Sequence, residues 1–147
     1  MSNITVIIPF INEGIEVDKT IQSIRETSAY NVPIIIINDG STDGVDYKKV
    51  AQNYHAEYIE HAERKGTAAS RDEGVANTKT CYYLTLDAHM TIFTKNWDTR
   101  LEEVLAAHPN ALLCGNTHAI DPVTRLQKPN KARVYMARYS APKKASR

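Results

Sequence analysis

Asp87 and His89 stand two residues apart at the end of the apolar run Leu84-Thr85-Leu86. Side chains at i and i+2 of an extended segment share one side, so a carboxylate and an imidazole would converge where a buried strand runs out. Such a pair suits a divalent transition metal, and imidazole ligation favours Mn2+ over Mg2+, which prefers oxygen donors. A cation held there would bridge to a diphosphate and stabilise negative charge developing on a leaving group. Taken alone, the triplet reads equally well as a strand end with a capping Asp and an incidental His.

Two further side chains carry chemistry of the same kind. Asp39, in Asn38-Asp39-Gly40-Ser41, can accept a hydrogen bond from an imide N–H such as that of uracil. The same four residues also describe a plain turn that caps the next helix. Arg71 follows Gly66 by five residues in a segment of small side chains, and its guanidinium can contact ribose and phosphate or orient an acidic loop residue. The alternative is a solvent-exposed helix charge. Phe10, beside Pro9, either stacks on a base or packs. His55, His61, His108 and His118 lack ligand-like spacing to one another. Glu63, Arg64 and Lys65 read as surface charges.

These residues need elements to position them, and the chain alternates strand and helix. Thr5 to Pro9 is a buried strand, with Asn12 an N-cap candidate for a helix carrying Val17, Ile21 and Ile24 on one face. Asn31-Val32-Pro33 breaks that helix. Ile34 to Ile37 is a second strand whose continuous β-branched run suits a parallel sheet covered on both faces. A turn-rich loop follows from Asn38 to Gly44, then a short helix from Val45 to Asn53 and a strand from Glu57 to Glu60. Gly66 opens a closely packed helix, and Cys81 to Leu86 is the next strand. Asn96 is placed to cap a helix bearing Trp97, Leu101, Val104 and Leu105, ended by His108-Pro109. Ala111 to Cys114 is read as one more strand. The pattern predicts an α/β, Rossmann-like, mostly parallel sheet flanked by helices. Ligands of such sheets sit at the carboxyl ends of the strands, where the loops at 9–13, 38–42 and 87–89 all fall.

Composition narrows the class. With 147 residues, 42% hydrophobic and 24% charged at a net charge of +1, the chain is globular. Nothing approaches the roughly 18 apolar residues of a membrane span, and the N-terminus opens directly into Ile4-Thr5-Val6, so neither a transmembrane segment nor a signal peptide is expected. Cys81 and Cys114 read as reduced, packed thiols, and a cytoplasmic location is the expectation. From Pro122 to Arg147 the chain holds no acidic residue but many basic ones, which describes a solvated tail or an anionic contact. No nucleic-acid partner is expected. A G-x-G-x-x-G after the first strand, a Walker A element and a nucleophile elbow are all missing.

Taken together, four segments resemble the family-two glycosyltransferases and their relatives with the GT-A fold. Val6-Ile7-Ile8-Pro9-Phe10-Ile11-Asn12-Glu13 is similar to the family's V-I-I-P-x-Y-N-E, with Ile11 where a tyrosine is common. Ile37-Asn38-Asp39-Gly40-Ser41-Thr42-Asp43 is similar to V-D-D-G-S-T-D, with Asn38 replacing the first Asp. Gly66 to Gly74 is similar to G-x-x-x-A-R-N-x-G. Asp87-Ala88-His89 departs from the usual Asp-x-Asp and is similar to the Asp-x-His of polypeptide N-acetylgalactosaminyltransferases. The resemblance implies a metal-dependent transfer of a sugar, hexosyl or N-acetylhexosaminyl, from a nucleotide donor, UDP by preference, to an unknown acceptor (glycan, protein or lipid-linked). It implies a nucleotide-binding set of Pro9, Phe10, Asn12, Glu13, Asp39, Gly66, Arg71 and Asp87, with Asp39 on the base, and Mn2+ or Mg2+ held by Asp87 and His89. The catalytic base and the anomeric outcome stay open, because the two signatures differ in stereochemistry. The expected organisation is a nucleotide-sugar-binding GT-A core over 1–120 and a basic segment over 121–147 that begins an incomplete acceptor region, the fold being short or truncated there. A partner subunit or homo-oligomer would then complete the enzyme, and the competing expectation is a non-catalytic nucleotide-sugar-binding module.

Overall fold

The structure, a computed structural model, describes residues 2–115, 117–121 and 123–128. Contacts divide the chain into two compact units, Met1–His108 and Pro109–Arg147.

In the first unit the elements alternate: β1 (Ile4–Phe10), α1 (Glu16–Thr27), β2 (Ile34–Asn38), α2 (Tyr47–Asn53), β3 (Glu57–Glu60), α3 (Thr67–Asn77), β4 (Tyr82–Thr85) and α4 (Trp97–Ala107). All strand pairs are parallel, in the order β3-β2-β1-β4. This is the predicted α/β sheet. Every residue of β1 and β2 is buried, because helices cover both faces. Ile4, Val6, Ile8 and Phe10 face one layer with Val17, Ile21 and Ile24 of α1, Tyr47 and Ala51 of α2, and Trp97 of α4. Ile7, Ile35 and Ile37 face the other, against Ile59 and Val75. On that side α3 approaches the sheet closely at Gly74, where a Cβ would lie 2.4 Å from Ile7 Cγ2 and 2.9 Å from Ile37 Cδ1.

The strand order reverses between β1 and β4, and a ligand crevice forms outside the carboxyl ends at such a switch point. Two features open it. The β1–β4 register ends at Ile7↔Thr85, with Leu86 N donating one further bond to Ile7 O. On the other side of β1, Asp39 N donates to Phe10 O, so by alternation Pro9 faces the side where β4 has ended. A proline that lacks an N–H is tolerated there.

Beyond β4, helix α1 acts as a spine for residues 88–98. The buried Thr20 hydroxyl shares its proton between Ala88 O (2.6 Å) and Met90 O (2.9 Å) and accepts from Met90 N (3.1 Å). Ser23 Oγ accepts from Ile92 N, Lys95 Nζ reaches Glu26 O, and Thr27 O accepts from Asn96 N. Asp98, wholly buried, accepts from Ala29 N and Tyr30 N with its two carboxylate oxygens.

Several local expectations are corrected. Asn12 does not cap α1. The helix starts at Glu16, and Asn12 takes a left-handed backbone (φ 54°) that turns its amide oxygen onto Thr42 N. Asn96 does occupy the N-cap position of α4, but in a left-handed conformation without a side-chain cap bond, and Val104 is exposed. Residues 111–115 form no strand, and Leu112 there is 72% exposed. Cys81 and Cys114 are free but exposed instead of packed, one flanking the edge strand β4 and the other in that irregular stretch.

Within the second unit an isolated antiparallel bridge joins Ile120 to Gln127. Asp121 Oδ1 accepts from Val123 N and Thr124 N in a turn. His118 is exposed, and most of the basic run lies outside the described residues. Among the described residues no helix is long and apolar enough to cross a membrane.

Gly74→Ala should destabilise the fold by about 1–3 kcal/mol in urea unfolding despite the better helix propensity of alanine, because the methyl overlaps Ile7; an unchanged midpoint would show that α3 can lift freely. Thr20→Val, nearly isosteric, should cost about 1–3 kcal/mol by leaving the 88–90 backbone unsatisfied. A loss below about 0.5 kcal/mol would remove Thr20 from that role.

Candidate functional site

The carboxyl-end rim is assembled from four loops that are tied together in pairs. The loop after β1 is bonded to the loop after β2: Asn12 N donates to Ser41 Oγ (2.9 Å), and Gly14 N donates to Tyr47 Oη (2.7 Å). Tyr47 Oη in turn donates to Asp43 Oδ2 at 2.5 Å. Burial, then the Asp43 hydrogen bond, push the Tyr47 hydroxyl up to about 12. The same bond holds the Asp43 carboxyl below its ordinary value. Phe10 lies only 5% exposed with its ring 4.5 Å from that of Tyr47, so it packs in the core and does not present a stacking face. Pro9 is likewise buried within β1.

Asp39 is buried at the end of β2 and is 4% exposed. Its Oδ1 accepts from Lys65 N (2.8 Å) and faces His61 Nδ1 (2.7 Å), while Oδ2 accepts from Gly66 N (2.9 Å). Burial pushes this carboxyl up, but His61 and the two backbone amides outweigh it and hold it below the ordinary carboxylate range. Gly66 is the residue that permits this approach: its φ of 94° is one that L side chains rarely adopt, and it precedes the first turn of α3. Asn38 explains its own departure from Asp. Its Oδ1 caps Ser41 N, and its Nδ2 faces Tyr58 Oη (3.0 Å) and Glu60 Oε1 (3.5 Å), where a second carboxylate would repel.

At the β1–β4 switch point, Arg71 Nη2 donates to Asp87 Oδ1 (3.1 Å), and His89 Nδ1 lies 3.3 Å from Glu13 Oε2. Arg71 Nε is buried without a hydrogen-bond partner. Asp87 and His89 are more than half exposed, at 56% and 57% of their side-chain surface. One carboxylate and one imidazole fit a Mn2+-type donor set. Among the described residues no group of three or more His, Cys, Asp or Glu could hold a metal, so such a cation would take its remaining ligands from phosphate and water.

Thus Asp39 meets Gly66, Asn12 meets the 41–42 turn, Arg71 meets Asp87 and Glu13 meets His89. Sequence reasoning missed His61 and Glu73: His61 Nε2 lies 2.8 Å from Glu73 Oε2, which also accepts from Lys65 Nζ (3.1 Å). The available signal was position, since His61 directly follows β3 as Asp39 directly follows β2.

Comparisons with known proteins agree with this architecture. Residues 5–146 match glycosyl transferase family 2. The uncharacterized glycosyltransferase YibD of Escherichia coli (strain K12) is 29% identical over 137 residues, which is 86% of this chain but 40% of that protein. Among solved structures, Staphylococcus aureus TarS 1-349 in complex with UDP-GlcNAc superposes with a TM-score of 0.65 at 15% identity, over 74% of this chain and 32% of that one. The mannosyltransferase PcManGT of Pyrobaculum calidifontis, in complex with GDP-Man and Mn2+, gives 0.64 at 18% identity, over 71% and 32%. The chain therefore spans well under half the length of these relatives. Its fold is the α/β GT-A fold, and the chain belongs to glycosyl transferase family 2.

Proposed function

We propose that this chain binds a nucleotide sugar, UDP-linked by preference, and serves a metal-dependent transfer of its hexosyl or N-acetylhexosaminyl group to an acceptor. The nucleotide-sugar-binding core is assigned to residues 1–120, and the basic 121–147 segment to the start of an acceptor region that a partner or second copy would complete. The observation that carries the reading is a pair of contacts at the carboxyl ends of the strands, Arg71 on Asp87 and Glu13 on His89, together with an Asp39 held by His61, Lys65 N and Gly66 N. The named complexes of TarS with UDP-GlcNAc and of PcManGT with GDP-Man and Mn2+ support donor class and cation. Two free cysteines fit a reducing compartment, and we place the chain in the cytoplasm.

In this reading Asp39 accepts a base N–H. The buried, unpartnered Nε–H of Arg71 finds a ribose or phosphate oxygen, which satisfies it. Asp87 and His89 would hold Mn2+ or Mg2+, and the cation would supply charge withdrawal from the departing nucleoside diphosphate. Asn12 keeps the first loop in register with the base loop, and Glu13 ties it to the loop at 87–89. One observation favours the second reading, a binding module without turnover: Asp121, an acidic residue downstream, has its Oδ1 occupied by its own turn. Transfer or hydrolysis of UDP-sugars with Mn2+ separates the two, and UDP binding without turnover across broad acceptor panels would select the module.

Asp87→Ala and His89→Ala should each lower Mn2+-dependent UDP affinity about tenfold or more in calorimetry while the melting temperature holds. Unchanged binding would remove both from the metal role. Asp39→Asn should reduce the preference for UDP over GDP by about tenfold, and an equal loss for both nucleotides would contradict base reading.

A further inference from the structure

The buried His61 lies between two carboxylates on different elements. Its side chain is 1% exposed, with Nδ1 at 2.7 Å from Asp39 Oδ1 and Nε2 at 2.8 Å from Glu73 Oε2. Ionised carboxylates only accept hydrogen bonds, so satisfying both contacts requires a proton on each ring nitrogen, which is the imidazolium form. The charged groups facing it are Asp39 from the end of β2 and Glu73 from α3, with Lys65 Nζ donating to the same Glu73 oxygen, Oε2. The backbone cannot drift, because His61 N donates to Asn38 O. An ionised carboxylate offers about four lone-pair positions. His61, Lys65 N and Gly66 N take three of those on Asp39, and both positions on Oδ1 are among them.

We infer that His61 is a positioning residue for nucleobase recognition: as an imidazolium clamped by Glu73, it fixes the Asp39 carboxylate so that one lone pair, on Oδ2, is left for the base, and its deprotonation releases that carboxylate. The inference rests on the reading of Asp39 as the base-recognising group and adds a pH-dependence to it. With both ring nitrogens protonated the Asp39–His61–Glu73 chain is intact and the remaining acceptor points one way. A neutral ring can donate through only one nitrogen, so the clamp between the two carboxylates is broken. Glu73 is held below the ordinary carboxylate range by His61 and then Lys65, so it stays an acceptor throughout.

The test is UDP binding with Mn2+ on the full chain, by calorimetry from about pH 5.5 to about pH 9, for wild type, His61→Gln and Glu73→Gln. Nitrogen NMR of the His61 ring is recorded without nucleotide. Wild-type affinity should fall on the order of tenfold as the pH rises. His61→Gln should bind weakly and without that pH-dependence. Glu73→Gln, which removes one of the two carboxylates favouring the charged ring, should keep low-pH affinity but lose it at a lower pH than wild type. Glu73 is partly exposed and carries the test should His61→Gln unfold in a thermal melt. A His61→Gln protein with wild-type affinity and pH profile overturns the inference, as does a ring nitrogen without a proton at about pH 6. If wild type binds UDP well with a flat profile, the His61 role alone is lost. If wild type does not bind UDP at any pH, the base-reading role of Asp39 fails and this inference falls with it.

Discussion

A carboxylate withdrawn almost wholly from water has to be supplied with donors, and Asp39 recruits three of them from two places. His61 comes from the end of β3, and the Lys65 and Gly66 amides come from the approach to α3. Unsatisfied, such a group would cost several kcal/mol, about as much as a large core truncation. The local order of the 61–66 segment therefore follows from one buried charge. Through Gly66, the same charge sets where α3 begins and so where Arg71, one turn further on, emerges. The group proposed to read the base and the architecture around it are the same object.

A second dependence runs through α1. Residues 88–98 have no regular structure before α4, yet Ala88 is buried and its loop is pinned at Thr20, Ser23, Glu26 and Thr27 along one helix face. An amphipathic helix would need only Val17, Ile21 and Ile24 for the core. The hydroxyls at 20 and 23 sit on the same buried side because a neighbouring backbone needs hydrogen-bond partners there. Asp87 and His89 flank Ala88, so the anchoring of that one residue holds both candidate metal ligands at the rim.

The parts of this arrangement that depend on periodicity were legible in the sequence. Runs such as Ile34–Ile37 announce a strand buried on both faces, and Val17, Ile21 and Ile24 a helix stripe; both were found where expected. The order of strands and helices then directed attention to the strand ends. What was not legible depended on pairing across long separations. Its place directly after β3 marks His61 out from His55, but no local pattern supplies its partners: one is buried between two carboxylates and the other is exposed. Asn12 carries a good cap side chain, but the partner it found was Thr42, thirty residues away. Phe10 could stack or pack on sequence grounds, and Tyr47, whose ring lies against it, comes from α2, thirty-seven residues further along the chain. Ala111 to Cys114 had strand-like composition, but composition does not supply a neighbouring edge to pair with.

The ion pairs at the switch point differ in kind from the Asp39 cluster, and the difference bears on how a charged ligand would enter. Arg71 and Asp87 are 43% and 56% exposed, and His89 and Glu13 are 57% and 30% exposed. Pairs this wet contribute about 0–1 kcal/mol each and are screened by salt. Separating them is therefore easy, whereas removing a donor from Asp39 strands a buried charge. In the proposed reading a nucleoside diphosphate would bring negative charge to Arg71, and a cation would bring positive charge to Asp87, so each half of that pair exchanges one partner for a more highly charged one. Neither half is left alone in the exchange. On that reading the Asp39 end would keep its donors while the Arg71–Asp87 end is held by contacts weak enough to be replaced, which is the division expected of a site that must orient a base and then release a diphosphate.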